Sequence, residues 1–384
     1  MSELPQGFHG RVTNVGVKDG SDDLTLIHSD AACAVAGVFT KSRFAGPSVT
    51  LSRQHIADGQ ARAMIVVSKN ANVANGPQGA ADAAEVAERI AALIGCEATD
   101  VLIASTGVIG RPYPMDKIRT GIDRLDPREP AANLDDVARG IMTTDTVRKT
   151  SSATIGAGPA FVAGVAKGVG MIEPDMATMI AMIMTDAEVT PSDLDKIFRR
   201  VVDRTFNCVS VDTDTSTSDT AVVMASGVAG EVDLTEFEVA LTRVCTDLAR
   251  QIAADGEGAE TLIEVVVDEA RDDQQARRVA KSIVNSPLVK TAVHGADPNW
   301  GRVAMAIGKC NDEDLDPDRI VIRFGESEVY PRRLAAGDLE SLSSYLRGPE
   351  VVIHVSLAIA DGQATVWGCD LTDGYVRINA DYTT

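Results

Sequence analysis

The sequence has few basic residues for its size and no long apolar run. It carries 36 Lys and Arg against 56 Asp and Glu, a net charge of −20, so a nucleic-acid phosphate backbone is not an expected partner. Nowhere does it approach the ~20 consecutive apolar residues that cross a bilayer. Its start, MSELPQGFHGRV, lacks the basic and apolar regions of a secretory signal. We therefore expect a cytoplasmic protein that binds neither nucleic acid nor membrane.

Paired metal-binding and redox motifs are also missing. The six cysteines are scattered without a C-x-x-C pair, which argues against a zinc site and favours buried thiols that behave as small apolar side chains. The five histidines show no H-x-x-x-H pair and no acidic neighbour at ligand spacing, so no metal centre is expected. The residues concerned are Cys33, Cys96, Cys208, Cys245, Cys310, Cys369, His9, His28, His55, His294 and His354.

What the sequence does contain is enough apolar side chains for a sizeable core. Its length of 384 residues predicts two or three domains, and its 45% hydrophobic content is ample for their cores. Alternating short apolar runs and amphipathic helical stretches predict an α+β protein of layered helices and mixed sheets, with an antiparallel sheet at its start. Strands are predicted at 24–27, 34–39, 49–51, 63–67, 101–104, 152–155, 160–165, 179–184, 262–267, 319–324, 351–357 and 364–367. Helices are predicted from about 80 to a stop at 95, and at 115–125, 134–142, 191–204, 234–254, 272–283 and 338–346.

The most informative stretch covers residues 167–186, KGVGMIEPDMATMIAMIMTD. A Gly-punctuated approach passes through Pro174, and the polarity then changes at Thr178, where the apolar run 179–184 begins. That run is short enough to be a buried strand, so Thr178 is placed at the mouth of a strand, where it can be held rigidly. On the pattern alone, packing is the more common role for such a threonine.

Three other places combine a chemical group with an accessible backbone. Thr106 and Gly107 follow a predicted strand, which sets a hydroxyl beside an unencumbered backbone N–H and suits an oxyanion; an ordinary glycine-containing strand end is the plainer alternative. Lys167 follows an apolar run and precedes Gly-x-Gly, so it is either a surface charge or an inward-facing partner for a substrate carboxylate. Glu257 lies between two glycines, either as a solvated turn residue or as a presented carboxylate.

At least six separated motifs, spread in order over nearly the whole chain, resemble the ornithine acetyltransferase family, the glutamate N-acetyltransferases of the arginine pathway. These motifs are STGVIG from Ser105, TTDT from Thr143, KGVGMIEPDMAT from Lys167, DTSTSDT from Asp214, DGEGA from Asp255 and SPLVKTAVHGADPNWGR from Ser286. At Asp175, arginine-pathway members usually have Asn, and in this respect the chain is similar to members from antibiotic-type biosynthetic clusters.

The resemblance implies that the chain cuts itself. Members of the family split at an Ala-Thr bond, and the freed threonine becomes the nucleophile at a new N-terminus. The matching bond here is Ala177-Thr178, which implies mature chains 1–177 and 178–384. We expect a main domain of residues 1–232 with the tail 366–384, a smaller α/β domain of 233–365, and assembly of the two cleaved chains into (αβ)2 or higher.

The resemblance also implies roles for single residues. Thr106 and Gly107 would form the oxyanion hole, and the DTSTSDT loop would support the site. Thr383 stands where the family commonly has Arg, a departure that bears on how the tail selects substrates. His294, a lone histidine in a predicted loop, is kept out of the catalytic set. The predicted substrate contacts are Thr146 (with Thr144 as the alternative), Lys167, Thr178, Glu257, Asn379 and Thr384.

A threonine at a chain start carries its own base, because an α-amino group has a pKa of about 7.7 to 8. We therefore expect acetyl transfer from N2-acetyl-ornithine to glutamate through an acetyl-Thr178 intermediate, with ping-pong kinetics. The alternative is an N-terminal-nucleophile amidase or aminopeptidase, in which water takes the acyl group. A non-enzymatic binding protein would leave the chain uncut. No cofactor is predicted. The sequence shows no Gly-rich phosphate-binding loop, and acetyl-CoA is left open as an acetyl donor.

Overall fold

The computed structural model describes residues 3–126, 132–173 and 179–381. They form two compact units, each built of helices and a sheet, so the predicted mixture of helices and sheets is confirmed. The first unit takes in the described residues up to Phe206 together with Asp214–Leu248. The second takes in Asn207–Thr213 and the described residues from Ala249 onward. The domain limits and the layered arrangement expected from the sequence stay predictions.

The first unit is organised around a sheet that has eight strands within the described residues, in the order β4-β3-β2-β8-β7-β6-β5, with β1 paired to β2. The strands are β1 Phe8–Thr13, β2 Leu24–Phe39, β3 Gln60–Asn70, β4 Val101–Val108, β5 Lys149–Thr154, β6 Phe161–Lys167, β7 Ile180–Glu188 and β8 Thr220–Glu231. The accompanying helices are α1 Pro47–His55, α2 Gly76–Ile94, α3 Met115–Asp123, α4 Leu134–Ile141 and α5 Pro191–Arg204.

Helices cover both faces of this sheet, which explains why its strands are nearly continuous apolar runs. Alternate residues of β3 serve opposite faces: Met64 and Val66 belong to one core cluster, shared with the apolar side of α4. Ile65 and Val67 belong to a second cluster, shared with α2 and α3. The sheet is therefore packed on both faces, and the side chains at its strand ends are held between the two core clusters.

The second unit contains a five-stranded sheet in the order β11-β10-β12-β9-β13, in which β9 and β12 are parallel. Its strands are β9 Leu262–Ala270, β10 Val321–Phe324, β11 Ser327–Tyr330, β12 Glu350–Ser356 and β13 Gly362–Cys369. Helix α6 spans Leu234–Ala254 and is followed by α7 Asp273–Val284, α8 Pro287–His294, α9 Trp300–Gly308, α10 Ala336–Leu346 and α11 Asp373–Asp381. No helix among the described residues is both long and apolar enough to cross a membrane.

Two predictions about local structure are wrong, and a third, the strands at 24–27 and 34–39, is confirmed with a difference in their separation. Residues 49–51 lie in α1 rather than in a strand, because Pro47 starts a helix and Ser52 turns inward to donate a hydrogen bond to the Ile103 carbonyl at 2.7 Å. The runs 24–27 and 34–39 belong to one long strand, β2, with a register irregularity between them. The predicted loop that carries His294 is helix α8, capped by Ser286.

The cysteines agree in part with the expectation of buried thiols. All six are free. Cys33, Cys208, Cys245 and Cys369 are buried, whereas Cys96 and Cys310 are half-exposed. Burial raises the pKa of the Cys33 thiol to about 11, which keeps it protonated and unreactive at neutral pH.

Candidate active site

The predicted cleavage bond lies outside the described residues. Ala177 and Thr178 fall in the gap between 173 and 179, and Thr384 falls beyond 381. The chain is described again from Met179, one residue before β7 begins. Autoproteolysis, the nucleophile and the contact of the terminal threonine with substrate therefore stay predictions. The surrounding residues define what the first residues of a second chain would meet.

Met179 is held through both of its backbone hydrogen-bonding groups. Its N–H donates to Asp219 Oδ1 at 2.9 Å, and its carbonyl accepts from the Thr220 N–H at 3.0 Å. One residue further on, the parallel pairing of β7 with β8 begins at Ile180 and Thr220. Two residues of the DTSTSDT loop, which was predicted to be structural support, thus hydrogen-bond to the backbone of Met179.

Thr106 and Gly107 lie at the end of β4, opposite the end of β3. Gly107 has a φ of +131°, and a Cβ added there would lie 2.2 Å from the backbone carbon of Lys69. No other residue type fits this position, since both the backbone conformation and the contact exclude a side chain. Thr106 is buried, whereas Gly107 is exposed. Thr106 and Gly107 lie side by side at this strand end, and their role as an oxyanion hole stays a prediction.

Substitution of Gly107 by Ala should therefore damage the protein more than the same change at Gly110. Gly110 also has a positive φ, +79°, but a Cβ there would meet no atom within 4 Å. We expect Gly107→Ala to lower the free energy of unfolding by roughly 1–3 kcal/mol more than Gly110→Ala, because the methyl group must displace β3 backbone. Urea unfolding of the two variants followed by circular dichroism measures the difference. Equal losses would mean that β3 and β4 separate here at no cost.

Lys167 and Thr106 are brought together from separate strands. Lys167, at the end of β6, is 3% exposed and its Nζ lies 3.2 Å from Thr106 Oγ1. An ammonium group can only donate, so the threonine oxygen is the acceptor and its own hydrogen is left to point elsewhere. The contact thus orients the Thr106 hydroxyl as a donor. Lys167 is therefore buried rather than a surface charge, and its role as a partner for a substrate carboxylate stays a prediction.

Two buried charges that the sequence reasoning missed lie behind Lys167. Lys149 Nζ contacts Asp145 Oδ1 at 2.7 Å, and the side chains are 0% and 1% exposed. Asp145 also accepts from the backbone N–H of Gly168 at 2.8 Å and of Thr143 at 3.0 Å. Burial alone would raise the pKa of Asp145, but the charges of Lys167 and Lys149 more than reverse this and hold it well below its ordinary value.

Asp145 is therefore an ionised carboxylate that compensates two buried ammonium groups. The available signal was its place in the TTDT motif, which the pattern presents as a turn with hydroxyl caps. The two threonines singled out in that motif, Thr144 and Thr146, are exposed. A buried acid between two exposed hydroxyl residues cannot be recognised from local sequence, because its partners come from β5 and β6.

In the second unit, Glu257 and Asn379 are brought together. Asn379 Nδ2 donates to Glu257 Oε2 at 3.0 Å and to the Tyr375 carbonyl at 3.0 Å. The tail is not frayed over its described part but forms α11, because Thr372 Oγ1 donates to the Gly258 carbonyl at 2.6 Å and holds its start. Glu257 is half-buried and Asn379 is exposed. Two of the predicted substrate contacts thus lie beside each other on one short loop and one helix.

His294 has acidic neighbours that its sequence spacing did not show. Its Nδ1 lies 3.2 Å from Asp370 Oδ2 and 3.7 Å from Glu260 Oε2, and the three residues could hold a metal ion by geometry. Asp370, however, already accepts the backbone N–H groups of Glu260 and Thr261 through Oδ1 at 2.9 and 3.0 Å. These hydrogen bonds give the cluster a structural role, because they fix the backbone that follows the Glu257 loop.

Comparison with known proteins gives a consistent result over the whole length. A model of the ArgJ family matches residues 10–384. The arginine biosynthesis bifunctional protein ArgJ 2 of Nostoc sp. is 56% identical over 384 residues, which covers 100% of this chain and 99% of that protein. The glutamate N-acetyltransferase Oat2 of Streptomyces clavuligerus is 56% identical over 390 residues, which covers 100% of this chain and 98% of that protein.

A solved structure supports the same assignment. The crystal structure of the arginine biosynthesis bifunctional protein argJ from Bacillus halodurans is 44% identical, with a TM-score of 0.50, and its match covers 52% of this chain and 98% of that chain. The resemblance found in the six motifs is thereby confirmed. The chain belongs to the ArgJ family, and it is an enzyme of the acyltransferase class.

Proposed function

We propose that this enzyme is a glutamate N-acetyltransferase that transfers the acetyl group of N2-acetyl-ornithine to glutamate through an acetyl-Thr178 intermediate. The observation that carries the proposal is the contact between Lys167 and Thr106. Lys167 pairs with Ile180 across β6 and β7, so the oriented hydroxyl of Thr106 belongs to the same strand ends from which the chain leads back to Thr178. A nucleophile and an oxyanion donor are needed together for acyl transfer.

The first reaction is cleavage of the chain at Ala177-Thr178. The Thr178 hydroxyl attacks the Ala177 carbonyl carbon, a C–O bond forms, the C–N bond breaks, and the nitrogen takes up the hydroxyl proton. Water then hydrolyses the resulting ester, which leaves a carboxylate on Ala177 and a free amino group on Thr178. The match with the Bacillus halodurans structure supports this step, because that solved chain is covered almost completely yet accounts for only 52% of this one.

The second reaction reuses the same hydroxyl. The new α-amino group, with a pKa of about 7.7 to 8, takes the hydroxyl proton as Thr178 attacks the acetyl carbonyl, and the proton passes to the leaving ornithine amine. The amine of glutamate then attacks the acetyl ester and frees Thr178. Thr106 and Gly107 would stabilise the tetrahedral oxyanion in each step, and one such donor is worth about 3–4 kcal/mol.

The remaining contacts are assigned by charge. Lys167 offers a cation for a substrate carboxylate, and Glu257 offers an anion for an ammonium group of ornithine. Asn379 donates to Glu257 and would hold that carboxylate in place. Thr146 and Thr384 complete the proposed set of substrate contacts. The two cleaved chains would stay associated in the cytoplasm as (αβ)2 or a higher assembly.

Steady-state kinetics test this proposal against hydrolysis. With N2-acetyl-ornithine and glutamate varied together, double-reciprocal plots should be parallel, because ornithine leaves before glutamate binds. Intersecting lines would count against an acetyl-enzyme. Omission of glutamate should stop ornithine release after about one turnover per site, whereas continued release of ornithine and acetate would identify an amidase.

A further inference from the structure

One buried acid that contacts Met179 has no part in the proposed acyl transfer. Asp219 is 0% exposed and lies in the DTSTSDT loop directly before β8. Its Oδ1 accepts the Met179 N–H at 2.9 Å. Oδ2 is buried and forms no well-aligned hydrogen bond with a described residue, although the Thr40 side chain interacts with the carboxyl group. A buried polar atom in this condition is costly and calls for a functional reason.

The acid is itself fixed by the backbone around it. The Asp219 carbonyl accepts the Thr40 N–H at 3.1 Å, and Thr40 Oγ1 donates to the Ser216 carbonyl at 2.7 Å. Thr40 directly follows β2, which is the sheet neighbour of β8. The backbone of Asp219 is thus hydrogen-bonded to the end of β2, and Asp219 links Met179 to this part of the sheet.

We propose that Asp219 is a positioning residue that fixes the reacting hydroxyl of Thr178 by anchoring Met179, the next residue along the chain. The inference rests on the proposed role of Thr178. The Met179 nitrogen is bonded to the Thr178 carbonyl carbon, so restraint of this nitrogen limits where the nucleophile can lie. Its value is greatest after cleavage, because residue 178 is then a chain terminus, and free termini fray.

The expected size of the effect follows from the geometry that acyl transfer requires. A misplacement of about 1 Å can cost on the order of 100-fold in rate. Loss of the Asp219 anchor removes the hydrogen bond to the Met179 nitrogen and leaves only the one that the Met179 carbonyl accepts from the Thr220 N–H, on the side away from residue 178. We therefore expect Asp219→Ala to slow both cleavage and kcat by on the order of 100-fold, with the KM for glutamate changed much less.

The geometry of the Asp219 contact points to a conservative variant that should restore function. Burial raises the pKa of Asp219 well above its ordinary value, although the Met179 N–H, the Thr40 side chain and the charge of Lys167 act in the opposite direction. An Asn amide keeps the oxygen that accepts the Met179 N–H and has nearly the same shape as the carboxyl group. Asp219→Asn should therefore cleave and turn over within a few-fold of wild type.

A control lies towards the far end of β7, the strand that follows Met179. Asp186 is also 0% exposed; its Oδ1 accepts the Phe161 N–H at 3.0 Å and its Oδ2 accepts the Gln6 N–H at 3.4 Å. Asp186→Ala thus removes a buried carboxyl group and a backbone anchor from β7 without touching the chain at residues 178 and 179. Its effect on thermal stability measures what the loss of such an anchor does to the fold.

The experiment follows cleavage of the full chain from the moment of synthesis. Wild type, Asp219→Ala, Asp219→Asn and Asp186→Ala are made by cell-free translation, quenched at intervals and quantified as cut and uncut chain by denaturing mass spectrometry. Acetyl transfer is then measured per cut chain, and circular dichroism melting reports folding. Among the four proteins, we expect only Asp219→Ala to combine slow cleavage with a low kcat.

Each outcome decides the question. A folded Asp219→Ala variant that cleaves at the wild-type rate would overturn the inference, as would Asp186→Ala slowed to the same extent. If Asp219→Ala does not fold, Asp219→Ser replaces it, since its hydroxyl is too short to reach the Met179 nitrogen. Failure of both to fold would make Asp219 a stability residue and reject a positioning role. An uncut wild type would instead reject the proposed function.

Discussion

Thr178→Ala is expected to leave the chain in one piece, whereas the wild type should separate under denaturing conditions into fragments of 177 and 207 residues, which together make up the 384. The variant lacks the only atom proposed to attack the Ala177 carbonyl. Without cleavage, residue 178 also has no free amino group, so the base for acetyl transfer is never formed. A single methyl-for-hydroxyethyl change should therefore abolish both reactions.

The size of the loss in acetyl transfer should match the removal of a nucleophile rather than of a binding contact. Removal of a catalytic serine in a protease costs about 10⁶ in kcat, and we expect a loss on that order here. Thr178→Ser is the matched control, because it keeps the hydroxyl and loses only a methyl group. It should still be cut, and it should retain measurable transfer.

Mass spectrometry of the three purified proteins makes the comparison. Intact wild type would remove both the nucleophile at a new N-terminus and its base, and the Lys167–Thr106 contact would then need another explanation. Cleavage of Thr178→Ala at the same bond would show that some other group attacks, or that a protease in the host does so. Only a cut wild type, a cut Ser variant and an uncut Ala variant agree with the mechanism proposed above.

The elements that the sequence predicts well are those whose pattern is local. Helix α6 is found at Leu234–Ala254, as its apolar spacing predicts, and the apolar run after Thr178 is strand β7. Residues 49–51 show the limit of the same reasoning. A three-residue apolar run fits a strand as well as one turn of a helix, and the choice is made by Pro47 and by contacts with β4.

The parts of the site that sequence reasoning found are single positions, and those that it missed are partnerships. Thr106, Lys167 and Glu257 were identified through motifs, and each does have a specific environment in the fold. Asp145 and Asp219 lie inside two of the same motifs, yet their importance comes from partners on other strands. Sequence order cannot show that a carboxyl group is buried, or which backbone N–H it will accept.

Lys149→Met should be strongly destabilising, with a loss of roughly 3–5 kcal/mol in the free energy of unfolding. Lys149 is fully buried against Asp145, so its removal leaves the carboxylate with one compensating cation, Lys167, instead of two. The variant is best compared in a Thr178→Ala background, where an uncut chain is expected to unfold without chain dissociation. Urea unfolding followed by circular dichroism gives the free energy.

A double-mutant cycle separates this charge effect from loss of packing. Asp145→Asn alone leaves Lys149 and Lys167 buried without their carboxylate, whereas Lys149→Met with Asp145→Asn removes one charge of each sign. The two single losses should therefore exceed the double loss by about 1–3 kcal/mol. Lys196→Met serves as the exposed control, since Lys196 lies 3.8 Å from Asp193 and is 66% exposed, and should change stability by at most about 0.5 kcal/mol.

The cycle also bears on the oxyanion hole. If Lys149→Met costs no more than Lys196→Met, Lys167 must supply most of the compensation for Asp145 in addition to its contact with Thr106. A large, non-additive loss of stability instead means that Lys149 compensates much of the negative charge of Asp145. Lys167 is in that case free to keep its 3.2 Å contact with Thr106, where the charge serves the reaction.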